Sequence, residues 1–82
     1  MIKVVFFAAL REQLDCNELT VSSENIATIA DLKQQLASKN EQWKSLFNNM
    51  SLLSAVNHDM VDNKHKIDSG DEVAFFPPVT GG

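Results

Sequence analysis

The sequence predicts an α+β fold built as one small domain, and three observations support this prediction. Short runs of β-branched and aromatic residues lie at both ends of the chain, which is typical of strands. The middle of the chain instead carries apolar residues at helical spacing. The 82 residues suffice for a single core only. Because the strands come in runs rather than alternating with helices, this arrangement is favoured over a doubly wound sheet.

The amino-terminal part of the chain predicts two strands that pair antiparallel. Residues 2–8 are rich in β-branched and aromatic side chains, which indicates the first strand. Residues 10–17 predict a connection with room for a helical turn. In residues 18–23, Leu19 and Val21 alternate with polar neighbours, and this period of two indicates a second strand.

The main helix is predicted over residues 28–39. Its apolar period is carried by Ile29, Leu32, Leu36 and Ala37. Thr28 and Asp31 stand three residues apart at its start, which is the spacing of a capping box, and Asp31 suits the positive end of the helix dipole. Lys39 is expected to complement the opposite end. A second, shorter helical turn with one buried face is indicated by Trp43, Leu46 and Phe47.

The carboxyl-terminal part predicts further strands. Residues 51–57 indicate a third strand and residues 60–61 a short fourth. Residues 68–71 predict a turn in which Gly70 adopts a positive φ. Residues 72–76 predict the last strand, which ends where two prolines follow, because proline cannot donate to a strand ladder.

The first and last predicted strands are apolar on both sides. In the first strand, Ile2, Val4 and Phe6 share one face, and Val5 and Phe7 share the other. In the last strand, Val73 and Phe75 share one face, and Ala74 and Phe76 share the other. A half-buried antiparallel strand would alternate apolar with polar residues instead. Either these are central strands, such as a parallel pair, with loops on each face, or the helix covers one face and a protein partner the other. Phe7 and Phe75 are the predicted anchors for such a partner.

Composition excludes several classes of function. With 7 basic and 11 acidic residues the net charge is −4, so neither nucleic acid nor an anionic membrane surface is an expected partner. The longest early apolar run, residues 4–10, is too short to span a membrane. The single cysteine, Cys16, cannot form an internal disulfide, which fits a cytoplasmic location. Only three glycines are present, so no glycine-rich phosphate loop exists and no bound cofactor is expected.

Residues 77–82 predict an extended tail that follows a domain of residues 1–76. Fully extended, these six residues reach about 20 Å. Gly81 and Gly82 lack side chains and can pass a constriction that would exclude a Cβ. A frayed terminus is the alternative. The exposed carboxylate of Gly82 suits acyl transfer after activation by a nucleotide, which a partner would have to bind.

Three segments of this chain resemble a known family. They are residues 2–8 with Arg11 and Glu12, residues 52–57, and above all Gly70-Asp71-Glu72-Val73-Ala74-Phe75-Phe76-Pro77-Pro78-Val79-Thr80-Gly81-Gly82. These segments resemble the small subunits of molybdopterin synthase, which are ubiquitin-like sulfur carriers. The resemblance implies a β-grasp fold, with a mixed sheet, one main helix packed on one face and a flexible carboxyl-terminal tail.

The resemblance also implies a function for the tail. An activating enzyme like the first enzyme of ubiquitin conjugation would use ATP to adenylate Gly82, and sulfur from a donor protein would convert it to a thiocarboxylate. Residues Pro77, Pro78, Val79, Thr80 and Gly81 would insert into the large synthase subunit, in a complex of two small and two large subunits. There the sulfur would pass to a pterin precursor to form the molybdopterin dithiolene. The implied contact surface comprises Phe7, Met60 and Phe75.

Several alternatives stay open at the level of sequence. The same activated carboxylate would serve a ubiquitin-like protein modifier or a thiamine-pathway sulfur carrier, and a plain docking module would need no tail chemistry. Met60 fits either a contact residue or a plug within its strand. Cys16 is expected to be an ordinary loop cysteine rather than a persulfide carrier. His58 and His65 lack further ligands at metal-binding spacing, so no metal site is expected.

Overall fold

The computed structural model describes residues 1–48 and 52–77, which form five strands and three helices. In chain order these elements are β1 (Ile2–Phe6), α1 (Ala9–Leu14), β2 (Glu18–Val21), α2 (Ile29–Ala37), α3 (Glu41–Phe47), β3 (Leu53–Val56), β4 (Asp59–Val61) and β5 (Glu72–Phe76). The predicted α+β class and the order of the elements are confirmed. Within the described ranges, no helix has the length and apolar character needed to cross a membrane.

The five strands form one mixed sheet in the order β2-β1-β5-β3-β4. The central strands β1 and β5 run parallel, with Val4 opposite Val73 and Phe6 opposite Phe75. The other neighbouring strands run antiparallel, including the predicted pair β1 and β2. The first and last strands of the chain therefore lie side by side, which explains part of their two-sided apolar character.

All three helices bury their apolar side chains against the same face of this sheet. The core combines Ile2, Val4, Phe6, Val73 and Phe75 from the strands with Leu10, Leu14, Ile29, Leu32, Leu36, Trp43 and Phe47 from the helices. The predicted core role of Trp43 and Phe47 is confirmed, since they are 7% and 4% exposed. Because the helices form a single layer on one face, the second face of the sheet is not covered by helices.

The predicted capping box starts α2. The backbone N–H of Asp31 donates to Thr28 Oγ1 at 3.3 Å, and the Asp31 carboxylate accepts from Thr28 N at 3.2 Å. This exchange satisfies backbone donors that the first helical turn leaves free. The helix ends at Ala37, two residues before the predicted end at residue 39. Lys39 lies beyond the helix, with its ammonium 5.2 Å from the centre of the Trp43 ring, where a cation–π contact replaces the expected dipole contact.

The turn before β5 has the predicted positive φ at Gly70, at 96°. The Asp71 carboxylate closes this turn by accepting a hydrogen bond from Asp68 N at 2.8 Å. It also accepts one from Asn57 Nδ2 at 3.1 Å, and Asn57 Oδ1 accepts from Glu72 N at 3.0 Å. The turn is thus fastened to the tight loop between β3 and β4, which sets the register of β5.

Candidate functional site

The face of the sheet that points away from the helices carries an exposed apolar patch. We use this name for Val5, Phe7, Met60, Ala74 and Phe76 together with Ala55, which is itself buried beneath them; these residues alternate with core residues along the strands. Phe7 and Met60 are 47% and 58% exposed, and besides Met1 they are the large hydrophobic residues most open to solvent in the described chain. Such clustering marks an interaction surface rather than a random scatter of apolar side chains.

The patch surrounds a shallow depression of about 210 Å³. Its lining consists of Phe7, Ala55, Met60, Ala74 and Phe76, together with His58 and Glu72 at one side. The small side chains of Ala55 on β3 and Ala74 on β5 form the floor, and longer side chains on either side form the rim. A side chain from a partner could fill this space, which is how hot-spot residues usually bind.

Phe7 is held in place by both its backbone and its ring. Its N–H donates to Phe75 O at 3.1 Å, which continues the parallel ladder beyond the end of β1. Its ring meets the Phe76 ring edge to face, with centroids 6.3 Å apart. The next residue, Ala8, has a φ of 55°, so the chain turns away into α1 directly after Phe7. Phe7 and Phe76 therefore form a fixed aromatic pair where β5 ends.

The prediction that Phe75 is a contact residue is wrong, because its side chain is completely buried. Its exposed fraction is 0%, and its ring packs against Phe6 and Phe47 with centroid distances of 6.3 and 5.3 Å. The parallel register places it opposite Phe6, on the face that the helices cover. Phe76 occupies the position on the patch that Phe75 was expected to fill. The period of two predicts only that Phe75 and Phe76 lie on opposite faces of β5, and the pairing of β5 with β1 decides which of them shares a face with Phe7.

Met60 lies at the patch margin as an exposed residue. It sits on the edge strand β4 opposite Ala55, and its exposure of 58% excludes a plug within the described sheet. Methionine adapts its shape to irregular apolar partners, which suits a contact surface. Of the two alternatives for Met60, the exposed contact position is the one that the geometry supports.

Charged residues border the patch at the other end of the sheet. Lys3 Nζ lies 3.3 Å from Glu18 Oε2 and 3.7 Å from Glu72 Oε2, and His58 Nε2 lies 3.8 Å from Glu72 Oε1. The hydrogen bond to Glu18, the charge of Glu18 and the charge of Glu72 raise the pKa of Lys3 above its ordinary value. The solvated ion pairs of Lys3 contribute little to stability. Their effect is to confine the apolar surface to the end of the sheet near Phe7 and Phe76.

The patch lies next to the start of the predicted tail. β5 places Ala74 and Phe76 on the patch, and Pro77 follows Phe76 directly. The remaining predicted tail residues, Pro78, Val79, Thr80, Gly81 and Gly82, lie outside the described residues. A partner seated on the patch is therefore beside the point where the chain leaves the sheet.

Of the cysteine and histidine residues considered in the sequence, only His58 borders the patch. Cys16 is half-buried, and its thiol donates to Glu18 O at 3.4 Å as part of a loop. His58 is at the patch margin, whereas His65 lies in the loop before β5. In residues 1–48 and 52–77, no group of three or more His, Cys, Asp or Glu side chains is placed to hold a metal ion.

Comparison with known proteins identifies relatives over the whole chain. The model of the ThiS family matches residues 4–82. The molybdopterin synthase sulfur carrier subunit of Escherichia coli is 43% identical over 82 residues, which is 100% of both chains. The subunit of the same name from Haemophilus influenzae is 35% identical, again over 100% of both chains.

Solved structures match the fold as well. A putative molybdopterin converting factor subunit 1 from Pyrococcus furiosus has a TM-score of 0.78 and 26% identity, covering 95% of this chain and 97% of that one. A chain from the complex of subunits 1 and 2 of the molybdopterin-converting factor of Helicobacter pylori 26695 has a TM-score of 0.69 and 23% identity, covering 99% and 97%. The expected β-grasp fold is confirmed. The chain belongs to the ThiS family, and its full-length relatives there are molybdopterin synthase sulfur carrier subunits.

Proposed function

We propose that this chain carries sulfur for molybdopterin synthase as a thiocarboxylate on Gly82. An E1-like activating enzyme binds ATP and adenylates the carboxylate, with release of pyrophosphate. Sulfide-level sulfur from a donor protein then attacks the acyl carbon, forms the carbon–sulfur bond and displaces AMP. The thiocarboxylate donates this sulfur to a pterin precursor, and two such transfers complete the molybdopterin dithiolene. In this scheme the chain binds no cofactor of its own and acts in the cytoplasm, without nucleic acid or membrane partners.

The observation that carries the proposal is the position of the apolar patch beside the start of the tail. Phe7, Met60 and Phe76 present apolar surface on a rigid sheet, and a large partner subunit would bury it on docking. Aromatic residues at the centre of an interface commonly supply most of its binding energy. The Helicobacter pylori relative of this fold was solved in complex with its subunit 2, which supports a partner of the same kind here.

The geometry also supports delivery of the tail into that partner. Pro77 follows the patch residue Phe76, so a subunit docked on the patch is adjacent to the tail from its first residue. Two consecutive prolines restrict the backbone and reduce the entropy lost on insertion. Gly81 and Gly82 add no side chains that would clash with a narrow channel. From the family expectation alone, we propose a complex of two small and two large subunits.

Intact-mass measurement tests the chemistry directly. The full chain is incubated with ATP, the activating enzyme and a sulfur donor, and the expected product gains the mass of one sulfur in exchange for one oxygen. Fragmentation should locate this change in the peptide that contains Gly82. A chain that lacks Gly82 is the matched control and should remain unchanged. An unchanged mass for the full chain, with an activating enzyme that is competent on a known substrate, would contradict the proposal.

The acceptor of the activated carboxylate distinguishes a sulfur carrier from a protein modifier. A carrier returns to its free carboxylate after each transfer, whereas a modifier accumulates stable isopeptide conjugates on lysine. We expect single-turnover reactions with the large subunit and pterin precursor to regenerate the unmodified mass. Accumulation of lysine conjugates in place of dithiolene product would favour the modifier alternative.

A further inference from the structure

A groove on the helical side of the molecule is separate from the patch. It lies between α2 and α3 and has a volume of about 1000 Å³. Its lining includes Ala30, Lys33 and Ala37 from α2, Glu41, Lys44 and Phe47 from α3, and Asn63 from the loop after β4. None of these residues belongs to the patch, so the proposed sulfur transfer leaves the groove unassigned. Its volume is within the range of small-molecule sites, which is about 300–1,000 Å³.

Lys33 lies in the wall of this groove, with most of its side chain buried and its ammonium partly buried. Only 9% of its surface is exposed, although lysine is almost never buried unless it is paired. Its ammonium donates to Asn63 Oδ1 at 2.7 Å, and no carboxylate of the described residues lies within ion-pair distance. Loss of solvent lowers the pKa of Lys33 below its ordinary value. No acidic side chain of the described residues balances the Lys33 charge. An anion bound in the groove would balance it and reduce the free-energy cost of its desolvation.

The position of Lys33 is fixed by its surroundings. It lies in the middle of α2, and Asn63 is held to the start of that helix because Ala30 N donates to Asn63 O at 2.9 Å. A second bond from Ile29 N to His65 O, at 3.1 Å, fastens the same loop. A donor held in this way loses little entropy when a ligand binds. Asn63 also retains its amide N–H groups as possible donors beside the ammonium.

The charges and apolar surface of the groove define the class of ligand. Lys33 and Lys44 supply two positive charges and Glu41 one negative charge, which leaves one net positive charge in the lining. A singly charged anion balances this one net positive charge. A doubly charged phosphate ester would leave one negative charge unbalanced, and Glu41 would repel it. Phe47, Ala30 and Ala37 provide apolar contact for the body of the ligand. We propose that the groove between α2 and α3 binds a small monocarboxylate with an apolar body, with its carboxylate on Lys33.

The test is a titration followed by backbone amide NMR, with sodium benzoate as the probe and matched sodium chloride as the reference. Benzyl alcohol has a similar shape without the charge and serves as the ligand control. We expect saturable shift changes at Ala30, Lys33 and Asn63 with benzoate only. Lys33→Met should weaken benzoate binding by about tenfold or more, because a hydrogen bond to a charged group is lost. Lys64→Met, outside the groove, is the matched protein control and should bind as the unmodified chain does.

Each remaining outcome contradicts the proposal. Equal shift changes with benzyl alcohol would mean that no charge is recognised. Binding of benzoate that survives in Lys33→Met would place the anion elsewhere, and non-saturable shifts would indicate no site at all. The dispersed amide spectrum of each variant shows in the same experiment that it is folded. Because the readout involves neither the tail nor the patch, failure here would leave the proposed sulfur transfer unaffected.

Discussion

At the scale of single residues, the family-specific segment before the tail performs structural tasks. Gly70 adopts a φ of 96°, a conformation that residues with a Cβ rarely adopt. Asp71 bonds the turn to the β3–β4 loop, and Val73 is fully buried opposite Val4. These residues therefore set the register of β5, and through it the position at which the tail leaves the sheet.

Asp71 should make stability depend on pH. The hydrogen bond from Asp68 N and then that from the Asn57 side chain lower its pKa below the ordinary value of 3.8, with a smaller effect from the charge of His65. The stabilisation is therefore complete above 3.8 and is lost as the pH falls through the lower folded-state pKa. We expect Asp71→Ala to be destabilised at neutral pH and to approach the unmodified chain in acid, as measured by urea unfolding.

The matched control for this effect is Asp71→Asn. It retains an oxygen acceptor but carries no titrating charge, so its difference from Asp71→Ala should not change with pH. A gap between the unmodified chain and Asp71→Ala that stays constant down to about pH 2 would show that the ionised carboxylate is not responsible.

Ser54 is a second residue with a measurable effect. Its hydroxyl is buried on the core face of β3, opposite Phe75, and no described group hydrogen-bonds to it. Removing an unsatisfied buried hydroxyl should be favourable, so Ser54→Ala should raise the free energy of unfolding by about 1 kcal/mol. Urea denaturation measures this. Ser38→Ala is the control and should not stabilise, because the Ser38 hydroxyl donates to Gln35 O at 2.6 Å; a loss of stability in Ser54→Ala would contradict the prediction.

At the scale of elements, alternate residues of β5 have different roles: one set packs in the core, and the other set lies on the patch. The residues of β5 alternate between the core face, with Val73 and Phe75, and the patch, with Ala74 and Phe76. The strand lies between β1 and β3, so both of its edges are paired. A central strand with two apolar faces is expected when a second body covers the face without helices.

Adjacent phenylalanines of β5 should therefore respond differently to substitution. Phe75→Ala removes a fully buried ring and should cost about 3–5 kcal/mol of unfolding free energy. Phe76→Ala should cost less stability but weaken binding to the large subunit by roughly tenfold or more, as expected for an interface anchor. Urea unfolding and titration calorimetry measure the two effects. If Phe76→Ala lost as much stability as Phe75→Ala and bound the large subunit with unchanged affinity, Phe76 would not be an interface residue.

At the scale of the whole molecule, the fold divides its surface into independent regions. The sheet face carries the patch and leads to the tail, while the groove with Lys33 lies in the helix layer. A partner on the patch can therefore exchange for another without unfolding the core. This arrangement is compatible with the proposed carrier role, in which the chain would bind an activating enzyme first and the large synthase subunit afterwards.

Lengthening the tail tests this separation. Adding one alanine after Gly82 moves the terminal carboxylate and replaces the glycine end that would enter a narrow channel. We expect the extended chain to lose dithiolene formation while its thermal midpoint is unchanged, since residues 1–76 are untouched. Full product formation by the extended chain would contradict the proposed role of Gly82, and a lowered midpoint would show that the tail contributes to the domain.

Much of the fold was predictable from local pattern. The helix with its Thr28–Asp31 cap, the turn at Gly70 and the last strand over residues 72–76 follow from signals carried by a few neighbouring residues. The predicted end of the main helix at residue 39 was too late, because the backbone bonds to Gln35 O and Leu36 O at the cap stop it after Ala37. Where a helix ends depends on such local competition more than on apolar period.

Local pattern was sufficient to predict the α+β class, the order of the elements and the resemblance of the segment from Gly70 to Gly82, because each depends on residues close together in the chain. The parallel pairing of β1 with β5 became visible only in the folded chain, and this pairing places Phe76 rather than Phe75 beside Phe7 on the patch. Folding likewise brought Lys33 against Asn63, thirty residues away. Strand pairing and burial are decided by contacts between distant segments, which local pattern does not contain.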